Sequence, residues 1–190
     1  AKCHNTVVQG NLIGPTKDGQ NTFYVQSIGI FMAGGYKTTT TIGGSNAGEG
    51  NVCSGNIDFG MRIFSGDKTM DIKGNIFGPT PTGTAALLQD GASTPMQSGG
   101  SCNGGTARCQ RYGLYISDCD DCIVGGDRSV GTGALGEGNL FSGNWEAGIV
   151  SSNNPTTTTV FSGNICGLDI TGTTLMCNNA VDPDPQSYGM

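Results

Sequence analysis

The segment Val8-Gln9-Gly10-Asn11-Leu12-Ile13-Gly14-Pro15-Thr16 decides the reading of this chain, because it comes back. It returns as Ile72-Lys73-Gly74-Asn75-Ile76-Phe77-Gly78-Pro79-Thr80 and, shortened, as Phe161-Ser162-Gly163-Asn164-Ile165-Cys166-Gly167. A second element, Gly48-Glu49-Gly50-Asn51-Val52-Cys53-Ser54-Gly55-Asn56, is matched by Gly136-Glu137-Gly138-Asn139-Leu140-Phe141-Ser142-Gly143-Asn144. A third runs from Gly29-Ile30-Phe31 to Ile42-Gly43-Gly44 and again from Gly113-Leu114-Tyr115 to Val124-Gly125-Gly126. The repeating unit is 64 residues from Gly10 to Gly74 and 89 from Gly74 to Gly163, stretched by an insertion between Gly83 and Gln110. Self-similarity of this kind marks stacked supersecondary units.

Within each unit the strand signals are short, as in Gly60-Met61-Arg62-Ile63-Phe64 and Thr69-Met70-Asp71-Ile72. Apolar and polar positions alternate in them, and Gly and Asn, which tolerate a left-handed backbone, punctuate them. No segment keeps apolar residues at helical spacing for more than a turn. The pattern predicts an all-β chain: a right-handed parallel β-helix, in which no coil can bury its apolar face alone and stacking supplies the core. A coil of about 21 residues would divide the chain into about eight or nine coils. The β-helix should span residues 1–174, with an inserted loop at about 81–111 and a tail at 175–190. Predicted inward positions include Leu12, Ile30, Ile42, Val52, Ile63, Ile72, Ile76, Leu114, Ile116, Ile123, Leu140, Ile149, Val160 and Ile165.

Composition narrows the function. Gly accounts for 34 of 190 residues without a three-residue period, which excludes collagen. Charged residues are 13% and the net charge is -6, with no basic patch, so nucleic acid is not an expected partner. No apolar run is long enough for a membrane span. The eight cysteines predict structural disulfides and an extracellular or cell-surface setting. The expected pairs are Cys102–Cys109, Cys166–Cys177 and, from spacing alone the least determined, Cys3–Cys53. A zinc site built on Cys119-x-x-Cys122 is the competing reading, but the single histidine is His4.

The strings Gly10-Asn11-Leu12-Ile13-Gly14, Ile42-Gly43-Gly44, Gly50-Asn51-Val52-Cys53-Ser54-Gly55-Asn56 and Lys73-Gly74-Asn75-Ile76-Phe77-Gly78 resemble coils of the pectin-lyase-like superfamily, in its bacterial surface-protein branch. The likeness covers roughly residues 5–80 and 110–172. It implies the right-handed β-helix and leaves activity open, because that fold hosts lyases, hydrolases, epimerases, adhesins and inert rods. Asp118-Cys119-Asp120-Asp121-Cys122 resembles the Asp-Asp-Cys element of polygalacturonases, which makes Asp120 and Asp121 the candidate acid/base pair. The other elements of that family are missing, and the stretch aligns with the plain corner Lys37 to Thr41. Lys68 with Asp67 and Asp71, and Asp58 with Arg62, are thinner candidates for lyase chemistry; solvated corners are the plainer reading. The four-threonine runs Thr38–Thr41 and Thr156–Thr159 suit strands whose alternate residues face outward. Trp145, at a corner, either closes the core or is exposed.

The functional expectation is therefore an extracellular structural or adhesive β-solenoid, more a scaffold than an enzyme, without a cofactor or metal. Its bare ends would stack head to tail on other copies of itself, and an extracellular polysaccharide is the further expected partner. The alternatives are a carbohydrate-active enzyme (hydrolase, lyase or epimerase), favoured by paired carboxylates in a cleft, and a passive glycan-binding module, favoured by an exposed aromatic row.

Overall fold

The computed structural model describes residues 5–22, 26–34, 38–64, 68–87, 109–117, 119, 121–152 and 158–176. The chain passes repeatedly through the same three directions. A first round is β1 (Thr6–Val8), β2 (Leu12–Ile13) and β3 (Ile28–Ala33). A second is β4 (Thr38–Gly43), β5 (Val52–Cys53) and β6 (Phe59–Phe64). A third is β7 (Lys68–Lys73), β8 (Ile76–Phe77) and β9 (Tyr112–Ser117), and a fourth is β10 (Cys122–Gly125), β11 (Leu140–Phe141) and β12 (Ala147–Ser152). β13 (Thr159–Ser162) and β14 (Ile165–Cys166) begin a fifth. Among the described residues there is no helix.

Each strand pairs in parallel with its counterpart one round away, giving the sheets β1-β4-β7-β10-β13, β2-β5-β8-β11-β14 and β3-β6-β9-β12. The arrangement is consistent with a β-solenoid. In the first sheet the register steps by 34, 30, 52 and 37 residues (Thr6 to Thr40, to Met70, to Cys122, to Thr159). The described residues thus hold five levels, not eight or nine. The closed turns and the long segment between β8 and β9 make the rounds longer than about 21 residues, so fewer of them fit in the chain.

The register also explains the 64-residue unit. Leu12 lies beside Val52 and Val52 beside Ile76, so the first two sequence elements are consecutive levels and the unit is two rounds. Rounds alternate in how the chain leaves the short strand. After β2, β8 and β14 comes a closed turn, in which Pro15 bridges Thr22, Pro79 bridges Ala86 and Leu168 bridges Leu175. The three share a pattern: Thr16, Thr80 and Asp169 donate their N–H groups to the carbonyls of Asn21, Ala85 and Thr174. After β5 and β11 the chain instead turns at once through Ser54-Gly55-Asn56 and Ser142-Gly143-Asn144. Residues 81–87 therefore belong to a repeated turn and not to the insertion, of which 88–108 lie outside the described residues.

The core is a column of side chains stacked level on level. The first sheet contributes Ile42, Ile72 and Val124, and the second Cys53, Phe77 and Phe141. The third contributes Ile30, Met61, Leu114 and Ile149 with Ile63 and Ile116. The Phe77 and Phe141 rings stack at 4.9 Å. Burial of each such side chain stabilises the fold by about 1.5–3 kcal/mol. Alternation corrects part of the expected inward set. Val124 points in, so its neighbour Ile123 points out, and Leu12, Ile123 and Val160 are 41%, 39% and 48% exposed. Val52, Ile76, Leu140 and Ile165 occupy the other face of the short strands, where they form a separate apolar cluster with Leu135, Leu168 and Ile170.

Candidate functional site

Two of the corners are lined by buried amides. At the first, Asn11, Asn51, Asn75, Asn139 and Asn164 stand one above another. Asn11 Nδ2 donates to Asn51 Oδ1 at 2.8 Å, Asn51 to Asn75 at 2.9 Å, Asn75 to Asn139 at 3.0 Å and Asn139 to Asn164 at 3.0 Å. The backbone N–H of each donor residue reaches the same oxygen, at 3.0–3.1 Å. The spare amide hydrogens of Asn51, Asn75, Asn139 and Asn164 go to the carbonyls of Val8, Ile42, Ile72 and Val124. Asn51, Asn75 and Asn139 are fully buried, so this complete pairing is what permits a polar column beside the core. Each asparagine follows a glycine, and at Gly74 the reason is explicit: φ is +68° and a Cβ would collide with the Gly44 carbonyl oxygen.

The second column is Gln26, Asn56, Gln110 and Asn144, joined at 2.6, 2.8 and 3.0 Å. The Gly-Asn pairs of the first ladder are visible in the sequence. Gln26 and Gln110 are not, because a longer amide outside any Ser-Gly-Asn string carries no signal.

Among the described residues both ends of the asparagine ladder are open. Every rung donates toward the fifth level. Asn11 Oδ1 accepts no hydrogen bond, and the Asn164 backbone N–H and one Nδ2 hydrogen donate none, among the described residues.

The outer side of the long-strand sheet carries an aromatic face. Phe59 stacks on Tyr112 at 5.2 Å, and Tyr115 meets both edge-on at 5.6 and 6.3 Å. The Arg62 guanidinium lies 5.2, 5.8 and 5.7 Å from the ring centres of Phe59, Phe64 and Tyr115. Phe31 and Phe64 are 54% and 50% exposed. At the margin Arg111 Nε meets Glu146 Oε2 at 2.6 Å, and Tyr112 donates its hydroxyl to Glu146 Oε1 at 2.5 Å. Burial, and then this bond, push the Tyr112 hydroxyl up to about 12. Burial alone would raise Glu146, but the bonds from Tyr112 and Arg111 hold its carboxyl below the usual range. The tyrosines share no common spacing in the sequence because the rounds differ in length; only the register brings Arg62 beside Phe31 and Tyr115.

The other expected site residues are dispersed. Asp120 lies outside the described residues, and Asp121 is exposed at the corner before β10 with φ 53°. Asp67 and the Lys68 side chain also lie outside them, while Asp71 sits half-buried on β7. Asp58 accepts from Ser27 Oγ at 2.5 Å. Trp145 is half-buried and bonds through its backbone N–H to the Gln110 carbonyl. Among the described residues no three His, Cys, Asp or Glu side chains converge on a metal position.

The cysteines correct two expected pairs. Cys53 and Cys166 are free thiols, so Cys3–Cys53 and Cys166–Cys177 are not formed. Both occupy the inner column of the second sheet, beside Phe77 and Phe141, and fill space as apolar groups do. Burial pushes the Cys53 thiol far up and Cys166 up to about 11. Cys119 and Cys122 are joined as a disulfide, with Cα atoms 5.9 Å apart, across the corner that was the zinc alternative. Cys109 is disulfide-bonded to a partner outside the described residues, where Cys3, Cys102 and Cys177 all lie.

No family model, no curated protein and no solved structure matches the chain. The parallel sheets are compatible with the pectin-lyase-like resemblance, and no match identifies that superfamily.

Proposed function

We propose that this chain is an extracellular structural or adhesive solenoid, right-handed, whose levels continue from one copy into the next. The hand follows from the strong preference of parallel crossovers. Disulfide chemistry at Cys119, Cys122 and Cys109 supports an oxidising setting. One observation carries the assembly: the asparagine ladder is directional and its ends are complementary. The unused donors of Asn164 match the unused acceptor of Asn11, so a second copy placed on the fifth level would add the rung that the first four junctions already make. Edge strands with open backbone groups would pair in the same step. Such a contact is heterologous and does not close on itself, so it grows a filament.

The test is sedimentation velocity with negative-stain imaging across a concentration series, on the unaltered chain and on Asn164→Asp. The aspartate keeps an oxygen to accept from Asn139, but it removes the donor to the next copy, gives up the bond to the Val124 carbonyl of its own chain and sets a charge against the next copy's acceptor. We expect concentration-dependent oligomers or filaments, weakened about tenfold or more in the variant with its circular dichroism unchanged. A single monomeric species at the highest concentration contradicts the reading.

A further inference from the structure

From the unpartnered guanidinium on the long-strand sheet we infer that this face binds a carbohydrate bearing a carboxylate or sulfate group, with Arg62 as the anion contact and Phe31 and Phe64 as the sugar contacts. This goes beyond the scaffold role and uses a different surface from the ladder ends.

Three observations converge. First, Arg62 makes no hydrogen bond and no ion pair among the described residues, and its Nε is buried without a partner. A buried N–H left without an acceptor is costly, and a guanidinium offers a fork of donors suited to a carboxylate or sulfate. Second, the carboxylates on the same face are engaged elsewhere. Glu146 is held by Arg111 and Tyr112, and Asp58 accepts from Ser27. No side chain among the described residues serves Arg62 as acceptor, which leaves its fork to solvent or to a ligand from outside. Third, the rings of Phe59, Phe64 and Tyr115 hold the guanidinium by cation–π contact, which orients it while leaving its hydrogen-bond donors unused.

The sugar part follows from the rings. Phe59 and Tyr112 stack their faces on each other. Phe31 and Phe64 are the half-exposed pair flanking Arg62, since Phe31 is its register partner one level down and Phe64 lies two residues along the same strand. Exposed rings beside one unpaired cation match a ligand with C–H-rich faces and one anionic substituent. An anion without a ring would leave them unused.

Isothermal titration calorimetry would compare a glucuronate oligosaccharide, its methyl ester, a sulfated dextran oligosaccharide and sodium sulfate, on the unaltered chain, Arg62→Gln, Arg62→Lys and Phe64→Ala. Melting curves control for folding. We expect the carboxylated or the sulfated oligosaccharide to bind, and which one does distinguishes the two anions. The ester should bind about tenfold or more weakly, and Arg62→Gln should lose the same factor. Arg62→Lys should recover part of it, Phe64→Ala should weaken all oligosaccharides, and sodium sulfate should not saturate. Equal binding of acid and ester, full binding by Arg62→Gln, or no binding of either acidic oligosaccharide overturns the inference.

Discussion

Asn75 is the residue on which most of the polar corner converges. Its Oδ1 accepts from the backbone and the side chain of Asn51, and its amide donates to Ile42, Lys73 and Asn139. Truncation to alanine would orphan groups on both neighbouring levels. Each buried orphan costs about 1–3 kcal/mol, so Asn75→Ala should destabilise the fold by about 3 kcal/mol or more. Asn11 is the outermost rung and is exposed, so Asn11→Ala should cost about 1 kcal/mol. Urea unfolding midpoints would check the pair, and equal losses would show that the ladder does not carry the corner. The recurring Gly-Asn dipeptides make these asparagines legible from the sequence alone. Arg62 is not legible as a site, because its surroundings come from Phe31 and Tyr115, which lie far away in the chain and near only through the register.

The elements are short because the corners demand unusual backbone conformations, and the glycines there differ in what they permit. Gly74 and Gly48 both have positive φ, at +68° and +83°. A side chain at Gly74 would meet the Gly44 carbonyl, whereas at Gly48 nothing lies within 4 Å. Gly48→Ala should therefore cost only the left-handed backbone, about 1 kcal/mol, and Gly74→Ala should cost that plus a forced backbone shift, at least about twice as much. Thermal unfolding of the two variants would check this; the reverse order would place the crowded corner elsewhere. At this scale strands, corners and their order are readable from sequence. That consecutive Gly-Asn elements are adjacent levels is not, because a closed turn after β2 and none after β5 make two successive rounds look like one unit. Inward and outward faces of the two-residue strands are unreadable for a related reason. Leu140 and Phe141 are both fully buried, one under the turns and one in the column, so alternation leaves no polar mark.

The whole molecule is a column of levels in which side-chain amides, aromatic rings and backbone ladders all repeat along one axis. That repetition sets its length and, by the proposed stacking of copies, its growth. Val7 and Val160 face outward on the first and fifth levels of the same sheet and are 61% and 48% exposed, so both sites can carry a probe without disturbing the core. Four level spacings of about 4.8 Å put them about 19 Å apart within one copy. If copies stack head to tail, Val160 of one lies a single spacing, about 5 Å, from Val7 of the next. Electron spin resonance on the chain labelled at both positions measures the two separations together. The account predicts a distance of about 20 Å in dilute solution, joined by strong short-range broadening as concentration rises. A dilute-solution distance of about 35 Å or more would contradict the five-level register, and the absence of broadening at high concentration would contradict the stacking.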